Sequence, residues 1–274
     1  MQNIFEKIFP KKIAAKSHFN FEKRSIDEII QKNRQSLSLI DNWIDEKAFK
    51  KSFFSYGVPD FIKADINKSI NDSVTYTDLM VYISKKHFKK INYLEIGVSV
   101  GKNFFQMILA NSNSTFTGFD IEEINPVLSN CLNFKDKTEW PTPSDSIKKT
   151  NSSFKRFEFK GMEVNYVCAD VWDENSWAKL KGNKFNLVFS DALHSSKAIL
   201  FEFEMLVKYD LLDEKFVIIW DDLIGKMKKA FFRIIKKYDK KYEIKDIYLL
   251  SINGWIGEHE GAHSVGVISN FSCV

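Results

Sequence analysis

From residue 91 onward the chain alternates short runs that are apolar on both faces with stretches of helical periodicity. "INYLEIG" (91–97), "STFTGFD" (114–120), "MEVNYVCAD" (162–170), "FNLVFSD" (185–191) and "KFVIIWDD" (215–222) read as strands. Helical patterns at 102–111, "ENSWAKLK", 195–208 and 224–238 follow all but the second of them. Strands that must be covered on both faces, joined by helical crossovers, make a parallel sheet with helices on either side. "DIYLLSI" and "HSVGVISN" are joined by a Gly-rich segment without a helix and predict a terminal antiparallel hairpin. The expected fold class is α/β: a doubly wound, mostly parallel, seven-stranded sheet with a helical N-terminal cap.

The cap is expected over 1–88 and the main domain over 89–274. In "SIDEIIQKNRQSLSLIDNWI", Ser25 reads as an N-cap with Glu28 completing a capping box. "YGVPDF" (56–61) is a break, and "TYTDLMVYISKKHF" (75–88) a second helix leading into the first strand. No linker-like composition separates cap from sheet. The segment at about 130–160 is polar, holds Pro141 and Pro143, and reads as a long insertion with little periodicity.

A chain of 274 residues, 44% hydrophobic, has ample material for a core. Its formal charge of +4 does not demand a polyanionic partner, so neither nucleic acid nor membrane is expected. The lysine-rich 226–242 stretch reads as an amphipathic helix with a solvated basic face. Cys131, Cys168 and Cys273 have no metal-binding spacing, which points to a reduced, cytoplasmic setting. The charge-interrupted N-terminus predicts no signal peptide, and no uncharged apolar run reaches the length of about 18 residues that a membrane helix needs.

In an open parallel sheet, ligands bind beyond the carboxyl ends of the strands. The first strand ends in Glu95 and Gly97, with Gly101 opening the next helix. The second ends in Asp120, suited to the hydroxyls of a ribose, and the third in Asp170, suited to the exocyclic amine of a purine. The turn G-V-S-V-G-K departs from the dinucleotide fingerprint G-x-G-x-x-G at Ser99 and Lys102. A carboxylate such as Glu95 repels a pyrophosphate and attracts a cation, which points to S-adenosylmethionine.

The fourth strand ends in Asp191, counted with the cofactor-facing strand ends as well as with the next group, and the fifth in Asp221 and Asp222. Adjacent strands lie about 4.8 Å apart, so these carboxylates converge and call for a cation. All-oxygen ligation suits Mg²⁺ or another hard divalent ion. His194, three residues beyond Asp191, is the candidate base for an acceptor hydroxyl. The C-terminal hairpin loop reads either as overhanging the acceptor pocket, with Trp255 or His259 touching the acceptor, or as a solvated hairpin tip. A second metal site from Glu258, His259, Glu260 and His263 is not expected, because the H-x-x-x-H spacing is not on a helix.

"LEIGVSVGKNFF…FTGFD" resembles the class I S-adenosylmethionine-dependent methyltransferases, whose first motif is typically E-x-G-x-G-x-G, and departs from it at Ser99. The resemblance covers about 90–270. D-x-x-H followed by an acidic pair is similar to the metal-dependent O-methyltransferases of macrolide sugars and related small molecules. That resemblance implies Asp191, Asp221 and Asp222 as metal ligands and His194 as base. It also implies O-methylation of a small hydroxylated acceptor such as a saccharide. Ala192 stands where relatives often carry glycine, and Ser195 and Ser196 where they tend to carry an aromatic. A nucleic-acid methyltransferase and a non-catalytic binding or assembly protein are the alternatives, and the cap helices could form a homo-oligomer surface.

Overall fold

The structure, a computed structural model, describes residues 14–41, 73–125, 128–129, 132–133, 135–136, 153–254 and 263–273. Its strands are β1 (Asn92–Ile96), β2 (Thr115–Asp120), β3 (Lys135–Asp136), β4 (Ser153–Phe159), β5 (Met162–Cys168), β6 (Phe185–Ser190), β7 (Leu212–Trp220), β8 (Asp246–Ile252) and β9 (His263–Ser269). The helices are α1 (Lys23–Asp41), α2 (Tyr76–His87), α3 (Lys102–Ala110), α4 (Glu174–Ala178), α5 (Ser196–Lys208) and α6 (Gly225–Tyr242). All nine strands form one sheet in the order β3-β4-β5-β2-β1-β6-β7-β9-β8. The five central strands, β5, β2, β1, β6 and β7, run parallel. β9 enters antiparallel between β7 and β8, as the expected hairpin.

The seven expected strands are therefore present, and the insertion adds two more. Residues 153–159, expected as part of a featureless loop, form β4 antiparallel to β5 and turn the ends of Phe154, Phe157 and Phe159 into the core. The pattern Phe154-x-x-Phe157-x-Phe159 is only partly alternating, which hid it among the surrounding polar residues. β7 begins at Leu212, three residues ahead of its expected start.

Each face of the sheet has its own apolar layer. α1, α2 and α3 cover one side with Ile26, Leu79, Met80, Phe104 and Met107. α4, α5 and α6 cover the other with Trp177, Ile199, Phe203, Phe231 and Ile234. The crossovers place α5 and α6 together on this second face, where Phe203 meets Tyr238 at 4.9 Å between ring centroids.

The described residues of the front section share the first of these layers, through Ile26, Ile30 and Leu37 of α1 and Leu79 and Met80 of α2. Lys16 continues the sheet edge, its N–H donating to Ile247 (2.8 Å) and its carbonyl accepting from Leu249 (2.9 Å). α1 starts at Lys23, so Ser25 lies inside it and is not its cap; the Ser25 hydroxyl turns back onto the Glu22 carboxylate. The capping box belongs to α2. Thr75 accepts from the Asp78 N–H, and Asp78 accepts from the Thr75 N–H. This reciprocal pair satisfies two donors that a helix start otherwise leaves open.

Asp78 also joins the front helices to each other. Its fully buried carboxylate accepts from Asn33 (2.7 Å) and from the Arg34 guanidinium (2.9 Å) on α1. Removing one partner of a buried ion pair leaves the other charge desolvated and unmatched, at about 3–5 kcal/mol. Asp78→Ala is therefore expected to destabilise the protein by about 3–5 kcal/mol, read as a lower denaturant midpoint at unchanged slope. A loss below about 1 kcal/mol would mean that this network does not hold α1 to α2.

Candidate active site

The sheet register lines up the strand ends. Ile96 of β1 pairs with Phe119 of β2 and with Ser190 of β6, and Ser190 pairs with Trp220 of β7. One residue further, Asp120, Gly97, Asp191 and Asp221 form a single row across four strands. Backbone bonds carry the ladder into that row: Gly97 donates to Phe119 (2.8 Å), Asp191 to Ile96 (2.8 Å) and Asp221 to Ser190 (3.1 Å). Glycine is required in the row because Gly97 has φ +86°, and a Cβ there would lie 2.5 Å from the Ala192 backbone.

The row opens into a cleft of about 530 Å³ whose lining includes Glu95, Gly97, Ser99, Asp120, Asp170, Asp191, His194, Asp221 and Asp222. Of the described residues expected to bind cofactor or metal or to act as base, Gly101 alone is not part of the lining. It starts α3 in the left-handed region at φ +86° and packs against Leu128.

In one half of the cleft, backbone amides fix the acids. Asp120 accepts from the N–H groups of Ser99 (2.7 Å) and Glu122 (2.8 Å), one on each oxygen. Ser99 takes φ 52° to make this bond, and its buried hydroxyl has no hydrogen-bond partner among the described residues. Glu95 is buried and accepts from the Tyr93 hydroxyl (2.7 Å) and from Asn103 (3.1 Å). Burial pushes its carboxyl well above the usual range, with the charges of Asp191 and Asp120 adding to the shift and the Tyr93 and Asn103 hydrogen bonds opposing it. Asp170 caps the following turn by accepting from the Trp172 N–H (3.0 Å). Lys102 is buried in the same lining, and burial pulls its ammonium well below the ordinary lysine range.

The other half is a carboxylate–imidazole cluster. His194 Nε2 lies 3.0 Å from Asp191 and its Nδ1 3.2 Å from Asp222. The Asp191 hydrogen bond leads the effects that raise His194 to about 9, while burial pushes Asp191 up to about 6. Asp222 takes φ 51°, a rare conformation for a residue with a side chain, and donates its N–H to Asp221 (2.7 Å). Asp221 is buried, and its other oxygen lies 2.6 Å from His263 Nδ1. Burial works to lower His263, but the Asp221 hydrogen bond and the charges of Asp221, Asp222 and Asp191 outweigh it and raise the imidazole.

Ligand atoms of Asp221, Asp222 and His263 lie within 4.8 Å of one another. The sequence pointed to Asp221 and Asp222 but grouped them with Asp191, whose closest described partner is instead His194. His263 arrives because β9 inserts beside β7, a long-range pairing that no local pattern announces. Tyr76 was missed too. It comes from α2, lines the cleft, stacks on Phe189 at 5.2 Å and meets His263 edge-on at 5.5 Å. Trp255, Glu258, His259 and Glu260, like Cys131, lie outside the described residues.

No protein-family model matches the chain, and no curated protein matches it in sequence. Solved structures do resemble it. The O-methyltransferase from Bacillus cereus in complex with SAH is 14% identical, with 84% of this chain and 99% of that one covered at a TM-score of 0.47. The O-methyltransferase TomG from Streptomyces achromogenes, in complex with SAM, is 12% identical, covering 84% and 97% at 0.47. The MycE methyltransferase of the mycinamycin pathway, with Mg, SAH and mycinamycin VI, is 13% identical, covering 79% and 49% at 0.43. These are likenesses of fold alone. The chain has a Rossmann-like fold, as its sheet order shows.

Behind the cluster, the Ser190 hydroxyl donates to Glu202 of α5 at 2.6 Å, and the second Glu202 oxygen is buried without a partner among the described residues. Burial raises this carboxyl to about 7, with the Asp191 charge adding to the shift and the Ser190 bond opposing it. A glutamate raised in the fold keeps its proton after the unfolded chain has lost its own. Its stabilising effect is therefore full below the ordinary value of 4.5 and is lost as pH rises to about 7. Glu202→Gln keeps an acceptor for Ser190 and removes the titration. The variant should gain stability over the parent from pH 4.5 upward, levelling off above about 7, in unfolding curves taken across that range. A difference independent of pH would show that Glu202 is not held protonated.

Proposed function

We propose that the protein is an S-adenosylmethionine-dependent O-methyltransferase that methylates a hydroxyl of a small molecule with the help of a divalent cation. A sugar or glycan residue is the acceptor class that the resemblance favours. One observation carries the reading. A single register row joins a half-cleft of cation-seeking carboxyls to a carboxylate–imidazole cluster, with Asp120 and Asp221 at opposite ends of the row and Gly97 and Asp191 between them.

The residues fit both groups. Glu95 is a buried carboxyl whose ionisation awaits a cation, Asp120 is held open by two amides, and Ser99 offers an unused buried hydroxyl. A cofactor with a sulfonium, an amino group and a ribose has matching needs; a pyrophosphate does not. For the cation, Asp221, Asp222 and His263 offer two oxygens and one nitrogen at close quarters, a donor set suited to Mg²⁺ or Mn²⁺ and to softer divalent ions. Asp191 stands next to this set and serves as a further ligand in the reading drawn from sequence.

When bound, the cofactor supplies an activated methyl group, and the cation supplies positive charge that lowers the pKa of a nearby hydroxyl. The chain's own part is positioning and proton handling. Asp191 and Asp222 hold the two nitrogens of the His194 ring from opposite sides and raise the imidazole to about 9, so the ring would act as base for an acceptor hydroxyl only where a bound cation took up the charge of those carboxylates. Tyr76 and Phe189 wall the cleft and exclude water around the reacting atoms. In-line approach then depends on the fixed row of strand ends, and positioning of this kind can account for a large part of such a rate.

Calorimetric titration with S-adenosylmethionine and S-adenosylhomocysteine, with and without Mg²⁺, tests the reading. The parent, Asp191→Ala and Asp221→Ala should all bind both cofactor forms. Asp221→Ala should weaken Mg²⁺ at least about tenfold, a loss that even outer-shell partners of a metal produce. No heat with either cofactor form would end the proposal. Cofactor binding with Mg²⁺ binding absent from the parent would favour a metal-independent or non-catalytic protein.

A further inference from the structure

Four large hydrophobic side chains are exposed among the described residues: Ile121 (69%), Trp172 (42%), Leu193 (40%) and Ile224 (67%). Single exposed apolar residues are ordinary. These four are not scattered, because each follows the carboxyl end of a central strand, β2, β5, β6 and β7 respectively. All therefore belong to the edge of the sheet on which the cleft opens.

On the α5–α6 side the same edge is cationic. Lys197 is exposed in the first turn of α5, and Lys226, Lys228 and Lys229 are exposed at the start of α6, with no acid in either first turn. Cations at a helix start oppose the macrodipole and one another, so this arrangement costs the fold stability and does not serve it. Along α6 the exposed charges continue as Lys229, Arg233, Lys236 and Lys240, a stripe over 12 residues whose ends lie about 16 Å apart along the helix. α6 holds eight cationic side chains and one acid, +7, within a chain of net +4, so everything outside it nets −3. Of these cations, Lys237 is paired with Glu204 of α5 (2.8 Å).

We propose that the α5–α6 rim of the cleft docks on an anionic lipid surface, with Ile224 and Leu193 entering the boundary of headgroups and acyl chains and the lysines at the start of α6 contacting the headgroups. Charge complementarity selects an anionic partner, and the exposed aliphatics beside the lysines select lipid over nucleic acid. A nucleic-acid surface gains from lysines and stacking aromatics, and nothing from Ile224. Among the described residues no helix is long and apolar enough to cross a membrane, and the apolar face of α6 is already committed to the core through Met227, Ala230, Phe231, Ile234 and Ile235. The contact is therefore peripheral. It replaces the reading of 226–242 as a merely solvated face, and it stands or falls independently of methyl transfer.

Co-sedimentation of the full chain with phosphatidylcholine vesicles, with and without phosphatidylglycerol, tests this. Binding is expected only with the anionic lipid and is expected to weaken with salt. Lys226→Glu, Lys228→Glu and Lys229→Glu together should lower partitioning by more than about 100-fold, since each lysine near an anionic surface is worth about fivefold. Ile224→Ser alone should lower it by about tenfold. All of these side chains are exposed, so Ile224→Ser should keep the parent's melting temperature and the triple variant should match or exceed it, which is checked by circular dichroism. The proposal is overturned by the absence of sedimentation with phosphatidylglycerol vesicles, or by binding that survives the triple variant. It is also overturned if Ile224→Ser changes nothing while a single-stranded oligonucleotide binds through the same lysines, which would assign the stripe to nucleic acid.

Discussion

The in-register pairing of β1 with β2 and β6 dictates where charge must accumulate in this protein. Once Ile96 is opposite Phe119 and Ser190, the residues that follow are bound to share a row, and three of the four are aspartates. Strands about 4.8 Å apart cannot hold neighbouring carboxylates beside a buried core without compensation. The protein compensates locally. Amides of Ser99 and Glu122 point at Asp120, the Asp222 amide points at Asp221, and two imidazoles lie among the remaining oxygens. The strained backbone at Ser99 and Asp222 follows from this need, since each takes a left-handed φ and each presents its N–H to one of these aspartates.

Such compensation is partial, and the imbalance has a direction. Glu95 and Asp191 are both pushed toward their neutral forms by burial, while His194 and His263 are pulled toward their charged forms by the acids around them. An added positive charge would relieve the carboxyls in both halves. A phosphate-bearing ligand would worsen both, and the turn after β1 has Ser99 and Lys102 where a pyrophosphate cradle would have glycines. The same electrostatics thus favours positive over negative charge in both halves of the cleft, without reference to any relative.

What could be read from the chain alone was whatever depends on neighbours in sequence. Doubly apolar runs set β1, β2, β5, β6 and β7, and the acids at their ends followed at once, because a parallel sheet puts all those ends on one edge. What could not be read depends on partners far along the chain. His263 reaches Asp221 only through insertion of β9 beside β7, and Tyr76 reaches the cleft only because α2 packs under β1 and β6. Ser25 satisfied the local rule for a cap, yet α1 extends past it to Lys23. β4 was masked by Lys155, Arg156 and Glu158 within a polar segment, and its three phenylalanines are explained by pairing with β5 rather than by strict alternation.

The charges on α6 pose the opposite problem to those in the cleft. Glu95, Asp120 and Asp221 in the cleft are buried and answered by donors, whereas the lysines at the start of α6 are exposed and unfavourable where they stand. A helix that only had to cover the sheet would do so with Met227, Ala230, Phe231, Ile234 and Ile235, and either sign of charge could occupy its outer face. Solubility alone would be served as well by acids, which also suit a helix start. The one feature that distinguishes the chosen sign is its position, beside exposed aliphatics and at the open edge of the sheet. That places an acidic interior and a basic, apolar rim within one helix turn of each other. Between Asp222 and Lys226 the chain passes from the chemistry of the cleft to the chemistry of what the cleft faces.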